Sequence, residues 1–136
     1  LGKQGLRGVA ELCYHKAHFA ASRIAQLPGY SLPIQGNFFR EFAVRCPASP
    51  QVINRRLLEH NILGGLDISE PPFNLPLPRG DARGVPPYEW GTEPPYVPPY
   101  QGGTTEGLNN CMLLCVTEMN SREDIDALVA ALAEFS

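Results

Sequence analysis

Residues 111–116, Cys-Met-Leu-Leu-Cys-Val, constrain this chain more than any other stretch. Six apolar residues in a row give a strand no solvent face. Cys111, Leu113 and Cys115 line one side, and Met112, Leu114 and Val116 the other. Such a strand belongs in the middle of a sheet with cover on both sides. The strand pattern runs over 109–118. Three residues on, Ser121 opens Ser-Arg-Glu-Asp-Ile-Asp-Ala-Leu-Val. Ser121 is a strong N-cap, and Asp124 is placed to close a capping box in its aspartate form. Ile125, Leu128, Val129, Leu132 and Phe135 then recur at helical spacing.

The same logic orders the rest. Residues 2–27 form one helical pattern, with Leu6, Val9, Ala10, Cys13, Ala17, Ala20, Ala21, Ile24 and Leu27 on one stripe, ended by Pro28-Gly29. The many alanines suit close packing on a flat surface. Phe19 falls off the stripe, near His15, and is read as marking a second contact surface. Tyr30, Leu32 and Ile34 alternate with polar or proline positions, and Pro33 marks an edge strand. Gly36-Asn37 is a turn. Phe38, Phe42, Val44 and Cys46 form the inward face of a second strand, which makes a hairpin with the first. Ser49 and Pro50 start a helix over 50–60 with Ile53 and Leu57 inward. Asn61 suits a left-handed cap, and Gly64-Gly65 gives a turn that only glycine allows cheaply.

Residues 69–106 are different. Ten of the fourteen prolines lie between Pro71 and Pro99, and Pro-Pro-Tyr recurs at 86–88, 94–96 and 98–100. This composition forbids helix and interior strand. It is read as an insertion with polyproline segments, either disordered or pinned elsewhere by Tyr88, Trp90, Tyr96 and Tyr100. The order is α-β-β-α-(insert)-β-α. That is a layered α/β (α+β) fold, and residues 1–136 form one domain with 69–106 inserted in it.

Composition excludes more than it assigns. A net charge of −3 and a pI near 5.6 give no reason to expect nucleic acid or an anionic membrane. No apolar run is long enough to span a bilayer, and no signal peptide is evident. The chain opens at Leu1 inside the helical pattern, so the expectation is a fragment of a longer protein. Cys13, Cys46, Cys111 and Cys115 contain no Cys-x-x-Cys pair, and four buried thiols in a reducing compartment is the reading.

No residue here earns a catalytic, cofactor or metal role. Glu11, His15 and His18 share a helical face, but no third ligand accompanies the histidines at a convincing spacing. His60 near a helix end complements the dipole. Gly64-Gly65 follows a helix, which is the wrong context for a dinucleotide fingerprint. Asp67 and Glu118 stand at element ends, and acid/base work would need both in one pocket. Lys3 and Lys16 are the only lysines, and neither has the desolvated setting of a Schiff-base lysine. Pro95 and Pro98 supply a lone Pro-x-x-Pro.

The stretches Leu1-Gly2-Lys3-Gln4-Gly5-Leu6-Arg7, Lys16-Ala17-His18-Phe19-Ala20-Ala21, Phe38-Phe39-Arg40-Glu41-Phe42, Gly64-Gly65-Leu66-Asp67 and Val116-Thr117-Glu118 together resemble the first subunit of the two-subunit glycine decarboxylases of the glycine cleavage system. Residues 69–106 depart from that pattern. The resemblance implies the small C-terminal domain of a fold-type I enzyme that uses pyridoxal phosphate (PLP). In that family the enzyme is cytoplasmic and heterotetrameric. It decarboxylates glycine and passes the aminomethyl group to the lipoyl arm of a carrier protein. The cofactor lysine belongs to the second subunit, so the fragment binds no PLP and is not catalytic by itself. The missing large domain is expected to dock on the Phe19 face. The rivals are a stand-alone binding or regulatory module, and the small domain of another fold-type I enzyme, an aminotransferase or a cysteine desulfurase.

Overall fold

The computed structural model describes residues 2–70 and 107–136. Three helices, α1 (Gly2–Ala25), α2 (Pro50–Glu59) and α3 (Arg122–Ala133), accompany three strands, β1 (Glu41–Arg45), β2 (Leu66–Asp67) and β3 (Cys111–Cys115). β3 is central, flanked antiparallel by β1 and β2. Residues 71–106 of the insertion, with Tyr88, Trp90, Tyr96 and Tyr100, lie outside the described residues.

One core joins all three helices to one face of the sheet. Phe42, Val44, Met112, Leu114 and Val116 project into it from the strands and their ends. Ala17, Ala20, Ala21 and Ile24 enter from α1, Ile53 and Leu57 from α2, and Ile125, Val129 and Leu132 from α3. The buried alanines let α1 approach closely, which sets how tightly the layers pack. The capping box at Ser121 forms as its sequence demands: Ser121 Oγ accepts from the Asp124 amide and Asp124 Oδ2 from the Ser121 amide. Asn61 adopts φ 58° after α2.

Four expectations change. The hairpin shrinks to a single bridge, Ser31 with Arg45. Pro33 has no amide to donate, so the strand peels away from β1 after one pair. Ser49 makes no side-chain cap bond; its carbonyl instead accepts from the Val52 and Ile53 amides. Gly64 and Gly65 are needed for close approach and not for a left-handed turn. A Cβ on Gly64 would collide with Asn54 Oδ1, and one on Gly65 would lie 2.6 Å from the Leu113 carbonyl oxygen.

The fourth change concerns the two-sided strand. The helix face of β3 is sealed. Its other face is graded: Cys111 is buried with Ala43 and Ile68, Leu113 is half-buried, and Cys115 is exposed. α1 does not cover that second face, because it packs in the same layer as α2 and α3.

Candidate functional site

A set of polar contacts joins α1 to the β3–α3 loop along one seam. Cys13 and Lys16 are three apart and face the same side of α1. Glu118 and Asn120 follow β3 on the loop that the Ser121 cap terminates. The Cys13 thiol donates to Glu118 Oε2 at 3.0 Å. Lys16 Nζ donates to the carbonyl oxygens of Glu118 at 2.5 Å and Asn120 at 2.7 Å. The loop is further braced by the Thr117 amide donating to Asn120 Oδ1 and the Met119 amide to Thr117 Oγ1.

These contacts fix what the seam can do. The bond to Glu118, followed by burial, raises the Cys13 pKa. The thiol is therefore held protonated, the opposite of a nucleophilic cysteine. The same bond is the main cause of the lowered Glu118 pKa, with its own backbone amide and the charges of Arg40 and Lys16 assisting. A carboxylate stabilised as the anion is a weak proton donor. The seam works as a clasp between α1 and the β3–α3 loop.

Asp67, His18 and His60 each meet partners within the fold. Asp67 Oδ1 accepts from the Ser69 amide, an Asx turn at the far end of β3 from Glu118, so the two carboxylates share no pocket. His18 stacks on Phe38 with centroids 4.0 Å apart and touches Tyr14 at 4.1 Å; its Nε2 meets the Phe38 carbonyl oxygen. Among the described residues no three metal-ligating side chains cluster. His60 caps α2 through its backbone, and its Nε2 lies 3.0 Å from Glu134 Oε1. Arg56 bonds both Glu59 and Glu134, tying α2 to α3.

Two expectations fail here. Phe19 is not an outward face. It is half-buried against the core, with the guanidinium groups of Arg23 and Arg122 each 5.6 Å from its ring. The start of α3 swings over α1 and brings Arg122 to a ring that helical periodicity alone leaves in solvent. The four thiols are not all buried either: Cys13, Cys46 and Cys111 are, and Cys115 is exposed. The clasp itself escaped the sequence reading, because Cys13 and Glu118 are 105 residues apart. The one available signal was Lys16, a cation off the apolar stripe and five residues from Glu11, the acidic residue of its helix.

On the far side, where residues 32–38 leave β1, a cleft of about 140 Å³ opens between Leu32, Ile34, Phe38 and the Ala43–Leu113 pair. Its walls are largely apolar, with Gln35, Asn37 and Glu41 also at the lining. Pyridoxal phosphate asks for a lysine able to form an imine and for donors to its phosphate. Lys16 is committed to two carbonyl groups, Lys3 stands on the exposed start of α1, and the α3 N-terminus is closed by its own capping box. The described residues do not assemble a site for it.

The architecture is that of the small α/β module of PLP-dependent fold-type I enzymes. The structure matches a glycine decarboxylase (P-protein) of the glycine cleavage system, solved in inhibitor-bound form, with a TM-score of 0.65 and 27% identity, over 100% of this chain and 23% of that one. It shares its fold with C-DES, solved with glycine covalently linked to the PLP cofactor, at a TM-score of 0.60 and 14% identity, over 96% of this chain and 24% of that one.

The sequence is homologous, along nearly all its length, to part of the enzyme glycine dehydrogenase (decarboxylating) subunit 1. It is 45% identical to the probable subunit 1 of Thermomicrobium roseum over 98% of this chain. It is 37% identical to that of Desulfitobacterium hafniense over 98% and 38% identical to that of Desulforamulus reducens over 100%. The chain spans 22–23% of the length of these relatives. No family model matches it.

Proposed function

We propose that this chain is the small C-terminal domain of a glycine decarboxylase first subunit and that its role there is architectural. The observation that carries the reading is similarity over at least 98% of the chain to one segment of such subunits, with the same fold in a solved glycine decarboxylase. The chemistry of the described residues supports it: thiol, ammonium and carboxylate groups are used to fasten α1 to the β3–α3 loop. On this reading the parent assembly binds PLP, decarboxylates glycine and hands the aminomethyl group to a lipoyl carrier protein. It does so with a second subunit that supplies the cofactor lysine, as a cytoplasmic heterotetramer. No helix among the described residues is long and apolar enough to cross a membrane.

Borohydride trapping tests the division of labour. Reduction of the assembled, cofactor-loaded enzyme fixes PLP to its lysine, and peptide mapping locates it. The label is expected on the second subunit. Label on Lys3 or Lys16 would overturn the architectural role.

A further inference from the structure

The stripe that α1 buries begins at Cys13 and runs through Ala17, Ala20, Ala21 and Ile24. One to two turns earlier the same stripe continues as Leu6, Val9 and Ala10. Among the described residues it joins no core cluster there: Leu6 is 64% exposed, and Val9 and Ala10 are half-buried. Residues 2–12 thus carry an apolar face roughly 16 Å beyond the packed body. Beside the point where the helix leaves that body stands Met119, 81% exposed, on the loop that Cys13 and Lys16 clasp. The clasp fixes the backbone on either side of Met119 against Cys13 and Lys16.

We infer that this Leu6–Val9–Ala10 stripe, with Met119 beside it, is the seat on which the remainder of the longer parent subunit packs. The inference rests on the reading of the chain as one domain of such a subunit. Two observations select this occupant. Nearly four-fifths of each curated relative lies outside the matched span. The patch is also small: a few side chains fall short of the roughly 800 Å² per partner that a stable association of separate chains buries. A covalently joined body needs far less area, because its effective concentration is already high. This site replaces the Phe19 face, whose ring is taken up by Arg23 and Arg122.

A photo-crosslinking experiment on the full-length subunit tests the seat. A benzophenone amino acid replaces Leu6 or Met119, with Arg7, paired with Glu11 on the polar side, as the control position. Adducts from positions 6 and 119 are expected within one chain, on peptides outside residues 1–136, and not from position 7. Adducts joining two copies, adducts on the second subunit, or none from position 6 would overturn the inference. Amide exchange in subunits that carry no benzophenone guards against a probe that disturbs folding. Amides 3–12 should exchange roughly tenfold faster in Leu6→Asp than in the parent, while amides 17–24 stay unchanged. Equal rates at 3–12 would also overturn it. Glycine decarboxylation is assayed on the same preparation combined with the second subunit, PLP and the lipoyl carrier protein. Intrachain adducts without decarboxylation would sink the functional reading and leave the seat standing; decarboxylation without intrachain adducts would do the reverse.

Discussion

The Cys13 thiol and the Glu118 carboxylate, 105 residues apart in sequence, meet at 3.0 Å and join the first helix to the loop after the central strand. The bond lowers the Glu118 pKa. Asp124, bonded by the Ser121 amide and hydroxyl, and Glu134, bonded by Arg56, are also lowered. A carboxyl group lowered in the folded state contributes stability that is present above its unfolded pKa. That contribution is lost as the pH falls through the folded value. Urea midpoints should therefore hold from pH 7 to about 5 and fall below that. In Glu118→Gln the fall should be shallower, since one of the three linked groups no longer titrates. An identical pH profile would show that the clasp is not formed.

The thiols should separate by reactivity. Cys115 is exposed, whereas burial pushes the Cys46 pKa up to about 12 and raises that of Cys111. Titration of the native protein with a disulfide reagent should show one fast thiol and three slow ones. Cys115→Ser should abolish the fast phase, because only the thiolate attacks. Persistence of that phase in Cys115→Ser would contradict the placement of the strand's far face.

Gly65 lies so close to β3 that any side chain must displace backbone. Gly65→Ala would set a Cβ 2.6 Å from the Leu113 carbonyl oxygen. The expected cost is about 1–3 kcal/mol, read from denaturant midpoints. A neutral effect would mean that β2 can shift freely.

Tyr30 is buried, and its hydroxyl donates to the Leu132 carbonyl oxygen at 2.9 Å, with burial raising the phenol pKa. That carbonyl also accepts from the Phe135 amide, so Tyr30→Phe leaves it with a partner. The loss should be about 1 kcal/mol and visible in the same denaturation assay. A loss several times larger would place a second role on the hydroxyl.

Local rules wrote much of this fold plainly. The Ser121–Asp124 box, the left-handed Asn61, the stripe of α1 from Cys13 to Ile24, the stripe of α3 and the central position of β3 all follow from spacing and cap chemistry. What stayed hidden depends on contacts across the chain. Phe19 lies off its helical stripe, yet Arg122 arrives from α3 to cover it. Cys115 alternates correctly in its strand, but nothing local says that cover on that face stops at Leu113. Gly64-Gly65 marks a constraint in any reading; whether the constraint is φ or proximity depends on where Asn54 and Leu113 stand. The clasp was illegible because its partners come from opposite ends of the sequence.

Release of labelled carbon dioxide from carboxyl-labelled glycine tests the central claim most directly. The full-length subunit carrying this domain is combined with the second subunit, PLP and the lipoyl carrier protein, and the 136-residue chain is assayed alone under the same conditions. The account predicts release by the complete assembly and none by the chain alone. No release by the assembly, or release by the chain alone, would contradict it.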